Sequence, residues 1–151
     1  MPLKEDIQQD MKEAMRAGDK QRLGTIRLIL AAIKQREVDE RITLDDQQVT
    51  AVLDKMSKQR RESLSQYEKD GRDDLAEQEA YELELIQAYL PEPLGEEEIN
   101  QLIDAAISET GASSLKDMGK VMGFLKPKLQ GRADMGAVSA QIKTRLNPVS
   151  Y

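Results

Sequence analysis

Apolar residues recur every three or four positions along most of the chain, which is the spacing of one face of an α-helix. In the N-terminal part this pattern divides into four segments, separated at Gly18, at residues 41–46 and at Gly71. The second segment has the broadest apolar surface, because Leu28 and Ala31 widen its stripe. It is therefore predicted to be the central helix of a helical bundle.

Two local features of these segments give specific expectations. The sequence "TLDD" gives Thr43 the capping-box spacing to Asp46, which predicts that Thr43 caps the third helix. Leu30 lies on the apolar stripe of the second segment. Its truncation to alanine is therefore expected to be among the most destabilising substitutions.

The sequence "YLPEPLG", residues 89–95, marks the clearest boundary in the chain. Two prolines and a glycine within five residues cannot continue a helix. Each side of this segment has its own apolar periodicity, and no strand alternation occurs on either side. The chain is therefore predicted to be all-α, with an N-terminal domain of about four helices (1–93) and a C-terminal three-helix domain (94–151).

The C-terminal part contains three shorter periodic segments. In the middle one, Ser114 has the capping-box spacing to Asp117, which predicts a helix beginning there, and Pro127 and Gly131 are expected to end it. Asp134 is predicted to cap the last helix, which runs to the "NP" pair at residues 147–148.

The composition excludes several kinds of chemistry. Among 151 residues there is no cysteine and no histidine, so disulfides, thiolate nucleophiles, Ser-His-Asp triads and nearly all zinc sites are absent. No catalytic residue, metal site or cofactor is predicted. The longest uncharged apolar run, Leu28–Ile33, is far too short to span a bilayer, and the first residues have no apolar signal region. These features favour a cytoplasmic protein that does not enter a membrane.

Charge is unevenly distributed along the chain, whose net charge is −6. Residues 73–109 contain twelve carboxylates and no lysine or arginine, whereas residues 115–146 contain seven basic residues and two acidic ones. Two solvated helical faces are the ordinary explanation of such segments, and the reversal of sign between neighbouring segments weakens it. A second basic group, "KMSKQRR" at residues 55–61, is flanked by acidic residues and is interpreted as the ion-paired surface of a long helix.

The most unusual stretch is "KDMGKVMGFLKPKLQGRADMG", residues 116–136. A glycine inside a helix costs about 1 kcal/mol relative to alanine, so Gly119 and Gly123 in one short helix suggest that something approaches closely. On a helical wheel both glycines lie beside the core face, with lysines just past them and Phe124 on the side away from the core. This surface suits a sugar-phosphate backbone with a stacked base, a partner helix, or a neighbouring helix of the same fold.

Three stretches resemble the YqeY family: "LGTIRLILAAIKQREVDER", "YLPEPLGEEEI" and "DMGKVMGFLKPKLQGRADMGAVSAQIKTRL". The C-terminal part is similar to the helical tail of the B subunit of the tRNA-dependent amidotransferase (GatB). The resemblance covers essentially the whole chain and implies an all-α protein with a three-helix C-terminal domain. In that amidotransferase the tail is implicated in holding tRNA while glutamine-derived ammonia amidates a mischarged aminoacyl end, which is carbon–nitrogen ligase chemistry.

The resemblance does not extend to the catalytic parts of the amidotransferase. The metal- and ATP-binding body of the B subunit and the serine-based glutaminase of a separate subunit are both missing, so ligase activity is not expected from this chain alone. The resemblance implies a tRNA-binding accessory protein that acts beside amidotransferase or aminoacyl-tRNA machinery. The alternative is a protein-interaction module that docks a partner through the surface around Gly119 and Gly123. The resemblance and, for Phe124, the helical wheel predict these nucleic-acid-binding residues: Lys116, Gly119, Lys120, Gly123, Phe124, Lys126, Lys128, Gly131, Arg132, Lys143 and Arg145.

Overall fold

The computed structural model describes residues 2–146, which form seven α-helices, one short 3-10 helix and no strand. The prediction of an all-α protein is confirmed, with four helices before the proline segment and three after it. The predicted stop at the "NP" pair, residues 147–148, lies outside the described residues. The α-helices are α1 (Leu3–Ala17), α2 (Lys20–Glu40), α3 (Asp46–Lys69), α4 (Asp73–Tyr89), α5 (Glu96–Thr110), α6 (Met118–Leu129) and α7 (Met135–Leu146).

The chain divides into two compact units, unit 1 (Met1–Pro91) and unit 2 (Glu92–Tyr151). The division falls inside the proline segment. Each unit has its own cluster of buried apolar side chains. Folding of the two units as separate domains, with the predicted bounds 1–93 and 94–151, stays a prediction. Between residues 2 and 146 no helix is long and apolar enough to cross a membrane.

Helix α2 uses only part of its broad apolar surface for the core of unit 1. Ile26, Ile29 and Ile33 are fully or almost fully buried, and they pack with side chains from the three other helices of the unit. On the opposite side Leu28 is 48% exposed. Leu30 is half-buried, so the largest truncation cost is expected at Ile29 instead. The sequence predicted the helix correctly but assigned too much of its surface to the core.

The start of α3 differs from the prediction. Asp45, rather than Thr43, caps the helix: its carboxylate accepts from the Gln48 amide (2.9 Å), and the Gln48 side chain accepts from the Asp45 amide (2.9 Å). The predicted partner of Thr43, Asp46, is the first helical residue, and its carboxylate accepts from the amide of Leu3 (2.9 Å). That carboxylate therefore joins the start of α1 to the start of α3.

In unit 2, α5, α6 and α7 surround a core that includes Ile103, Leu125 and Ile142. Helix α6 continues through Pro127 to Leu129, so the predicted stop at Pro127 is wrong. A proline near the end of a helix removes one backbone hydrogen bond, and here the remaining bonds and the packing carry the helix past it. The chain turns at Gly131, the other residue that was predicted to end the helix, whose φ of 77° lies in the left-handed region that favours glycine.

Two hydrogen bonds fix the turn between α6 and α7. The amide of Leu94 donates to the carbonyl of Arg132 (2.8 Å), and Nε of Arg132 donates to the carbonyl of Glu92 (3.1 Å). Both bonds tie the start of unit 2 to this turn, so the C-terminal end of the basic stretch is held in place.

Candidate nucleic-acid interface

The basic stretch begins at a well-defined turn. Leu115–Asp117 form the 3-10 helix that leads directly into α6. The carboxylate of Asp117 accepts from the amides of Ser113 (2.9 Å) and Ser114 (3.3 Å), which is the acidic half of the predicted capping box. These bonds, that from Ser113 above all, lower the pKa of Asp117, and the nearby lysine charges add to this. The turn fixes the start of α6.

Four predicted site residues form the lysine ridge: Lys116 in the 3-10 helix, and Lys120, Phe124 and Lys128 on α6. They are four residues apart, and the three on α6 lie on one side of that helix. The three lysines are exposed, whereas Phe124 is half-buried and packs against the core of unit 2. The ammonium of Lys128 lies 3.5 Å from the centre of the Phe124 ring, a cation–π contact. The wheel placed Phe124 on the side away from the core. In the structure its ring instead lies partly in the core.

Beside this ridge lies the glycine groove, formed by Gly119, Gly123 and Pro127. Both glycines are exposed, and a Cβ atom added to either would meet no atom of the described chain within 4 Å. A neighbouring helix of the same fold therefore does not explain these glycines in the part of the chain that the structure describes. Because Pro127 has no amide hydrogen, it cannot donate to the carbonyl of Gly123, four residues earlier. The floor of the groove thus has a backbone acceptor without its helical donor.

The exposed lysines of this region have no carboxylate partner. Within residues 2–146 no carboxylate oxygen lies within 4.0 Å of any of their ammonium groups. They differ in this respect from the other basic group, in which Arg60 binds Glu82 (3.1 Å) and Lys58 lies 3.7 Å from Asp54, as the sequence led us to expect. The lysines without a partner are Lys116, Lys120, Lys126, Lys128 and Lys143.

Three other predicted site residues have contacts within unit 2. Arg145 on α7 donates to the carboxylate of Asp104 and to the side-chain oxygen of Asn100 (3.1 Å), both on α5. Arg132 donates to the carbonyl of Glu92, and Gly131 adopts the positive φ of the turn. These contacts give each of the three a structural role. Their part in nucleic-acid binding stays a prediction.

The N-terminus of α7 does not supply free amide groups for an anion beside the basic stretch. The carboxylate of Asp134 accepts from the amides of Gly136 (2.9 Å) and Ala137 (3.4 Å), so Asp134 caps this helix as predicted. The same cap occupies the donors that would otherwise attract an anion. The positive potential of the region therefore comes from side chains.

Sequence reasoning missed two features of this surface that the sequence contains. The spacing of four between Phe124 and Lys128 would have predicted their contact. The spacing of four between Gly123 and Pro127 would have predicted that the carbonyl of Gly123 lacks its helical donor.

In the described part of the chain no group of three or more acidic side chains is arranged to hold a metal ion.

Comparison with known proteins gives the family. The family model for Yqey-like proteins matches residues 4–146. Three curated relatives share the name "Altered inheritance of mitochondria protein 41, mitochondrial". The one from Eremothecium gossypii is 45% identical over 85 residues, which cover 56% of this chain and 46% of the relative. Those from Pyrenophora tritici-repentis and Kluyveromyces lactis are each 32% identical, over 91% of this chain and 77% and 80% of the relative.

The names of these relatives place them in mitochondria, which contradicts the predicted cytoplasmic location. That prediction is wrong because it relied on a missing apolar signal region, whereas mitochondrial transit peptides are amphipathic and rich in arginine and serine.

With the first relative, the match spans about half of the relative's length. The family model covers nearly all of the described residues, and two relatives match over most of their own length. The chain belongs to the YqeY family.

Proposed function

We propose that the chain is a tRNA-binding accessory protein and that the lysine ridge contacts the phosphate backbone. The observation that carries the proposal is a set of exposed lysines without carboxylate partners in the described chain, beside a groove in which Gly119 and Gly123 have no side chains. A cation already paired within the fold must break that pair before it can bind phosphate, whereas these lysines release only counterions. The relation to amidotransferase or aminoacyl-tRNA machinery rests on the resemblance of the C-terminal part, and carbon–nitrogen ligase activity is not proposed for this chain alone.

The glycine groove adds a reason to prefer RNA. A surface without side chains lets a sugar-phosphate strand approach the helix backbone, and the carbonyl of Gly123 offers an acceptor there. The 2′-hydroxyl of RNA donates hydrogen bonds, and DNA has no such group. A DNA strand of the same sequence and length is therefore expected to bind more weakly than the RNA.

Salt dependence tests the proposal directly. In Lys116→Gln/Lys120→Gln, two phosphate contacts are lost, so the slope of log affinity against log salt is expected to flatten by about 1.4 to 1.8. The matched control is Lys55→Gln/Arg61→Gln, which neutralises two exposed cations on α3 and should leave the slope unchanged. Equal slopes for the two variants would contradict the proposal.

The second candidate is docking of a partner protein on the glycine groove. The exposed glycines inside α6 favour it, since they invite close approach by another backbone. Against it, hot spots of protein interfaces are mostly large side chains, and Leu115 is the one large apolar side chain of unit 2, within the described residues, that is markedly exposed (46%). Gly123→Leu separates the two candidates. Filling the groove should weaken tRNA binding under the first proposal and leave it unchanged under the second.

A further inference from the structure

Helix α2 has an exposed apolar seam on the side away from the core of unit 1. Its members are spaced alternately by four and three residues, which is the spacing of the contact positions in a coiled coil. All of them are exposed, with Leu28 at 48% and Val38 at 59%. Single exposed apolar residues are common, but an ordered row on one helix marks an interaction surface. The apolar seam consists of Leu28, Ala31 and Val38 with Gly24 and the polar Gln35, which donates to Asp39 (2.9 Å), at the remaining positions.

The seam ends in a surface depression. Ile42, just beyond the helix, is 39% exposed and lines an open depression of about 420 Å³ together with Val38, Lys34 and Arg41. The carboxylate of Glu37 also lines it, but that carboxylate is already bound by the ammonium of Lys4 (2.9 Å) and the amide of Leu44 (2.9 Å). The depression therefore combines two apolar side chains with three basic ones, of which Lys4 is paired with Glu37.

One flank of the seam is uniformly positive. Lys20, Arg27 and Lys34 recur every seven residues and are all exposed. In the range that the structure describes, none of these three has a carboxylate within 4.0 Å. On the opposite flank Thr25 is 2% exposed and Ala32 packs against the core, whereas Asp39 near the end of the helix is exposed. A helix lying on the seam would therefore meet this basic row, Lys20, Arg27 and Lys34, at its edge.

We propose that the outer face of α2 docks an amphipathic helix of a partner protein whose residues beside its apolar stripe are acidic. Large exposed apolar side chains give phosphates nothing to bind, which disfavours a nucleic acid on this face. An antiparallel second copy would set one basic row against the other, and like charges repel. A parallel copy would set the basic row against the flank of Thr25, Ala32 and Asp39, where Asp39 alone is charged, so two of the three basic residues would face no carboxylate. Charge complementarity thus selects an acidic helix.

Binding of a synthetic helix tests this proposal. The probe is an amphipathic peptide with leucine at every a and d position and glutamate at every e and g position; the control peptide has lysine in place of glutamate. We expect the whole chain to bind the acidic peptide and not the basic one. Arg27→Gln/Lys34→Gln should weaken this binding about tenfold, because two rim charges are lost. Leu28→Glu should weaken it by about tenfold to a hundredfold.

Several results would overturn the proposal. Equal binding of the two peptides, or no binding of either, would do so, as would unchanged binding in Leu28→Glu. Sedimentation of the wild-type chain as a dimer that Leu28→Glu dissociates would assign the face to a second copy. A loss of tRNA affinity in Arg27→Gln/Lys34→Gln as large as in Lys116→Gln/Lys120→Gln would assign it to nucleic acid. Thermal melting checks that each variant is folded.

Discussion

The outer faces of α2 and α6 each carry a row of basic side chains, but the surface that borders this row differs between the two helices. Each is exposed, and each has a regular row of cations without carboxylate partners in the described chain. On α6 the row borders a groove of Gly119 and Gly123, whereas on α2 it borders Leu28 and Val38. Positive charge alone therefore does not identify the partner. An empty groove suits a phosphate backbone, and an apolar seam suits another helix.

Cations elsewhere in unit 1 underline this contrast. Lys4 binds Glu37, Arg36 binds Glu40 and Arg60 binds Glu82. Those cations contribute to the fold through ion pairs within it. Other exposed cations of unit 1, such as Lys55 and Arg61, also have no carboxylate within 4.0 Å in the described chain, so regular spacing distinguishes the two rows. Substitutions in the rows are expected to affect binding much more than stability.

The largest expected effect separates the two sides of α2. Ile29→Ala should lower the free energy of unfolding by about 2–5 kcal/mol, because the side chain is fully buried and its loss leaves a cavity. Leu28→Ala, one residue away, should change it by less than about 0.5 kcal/mol, since Leu28 is half exposed. Urea melts measure both values. A cost for Leu28→Ala close to that of Ile29→Ala would show that the seam belongs to the core.

The next effect concerns the glycines of α6. Gly119→Ala and Gly123→Ala should each raise the free energy of unfolding by up to about 1 kcal/mol, because alanine favours the helix and nothing in the described chain obstructs its methyl group. Gly131→Ala is the control and should lower it by about 1–2 kcal/mol, since its φ is positive. Denaturant melts test all three. Destabilisation by the first two would mean that the fold itself requires the glycines.

A smaller effect divides the predicted site residues on α7. Arg145→Gln should lower the free energy of unfolding by about 0.5–1 kcal/mol, because it removes the partly exposed ion pair with Asp104. Lys143→Gln, on the same helix and exposed, should leave stability unchanged and weaken tRNA binding. The reverse pattern would return Arg145 to the binding surface and remove Lys143 from it.

The smallest effect is a dependence of stability on pH. The pKa of Asp117 is lower in the folded chain than in the unfolded chain, mainly because of the amide of Ser113. Its contribution is therefore present above the ordinary pKa of an aspartate, about 3.9, and is lost as pH falls through the lower, folded value. Asp117→Asn should remove this part of the acid sensitivity. Identical acid unfolding of the variant and the wild-type chain would contradict the assignment.

Sequence patterns predicted the helices well and their surroundings less well. Apolar periodicity and the proline segment were enough for the number of helices on each side of it. The same periodicity could not say which part of α2 is covered, because its apolar residues occur on nearly every side and only packing separates Ile29 from Leu28. The ion pair of Arg145 with Asp104 joins residues 41 apart in the chain, and no local pattern indicates it. The contact of Lys128 with Phe124 is local and could have been predicted.

The cap of α3 and the course of α6 show a second limit. Both Thr43 and Asp45 have the spacing of a helix cap. Thr43 would need Asp46 as its capping partner, but the carboxylate of Asp46 accepts from the amide of Leu3, 43 residues away in sequence, and Asp45 caps the helix instead. Pro127 weakens a helix locally, yet the packing of Leu125 and Leu129 in the core carries α6 past it. In both cases tertiary contacts decided between locally acceptable alternatives.

One crossed measurement tests the central claim that the two faces bind different partners. Affinity for tRNA across a series of salt concentrations, and affinity for the acidic peptide, are measured for Lys116→Gln/Lys120→Gln and for Arg27→Gln/Lys34→Gln, which carry the same net charge. We expect the α6 variant to lose tRNA affinity with a flatter salt slope and to keep peptide binding. The α2 variant should keep tRNA binding with the wild-type slope and lose peptide affinity. Equal losses of tRNA affinity in both variants would contradict the claim, because charge alone would then account for binding.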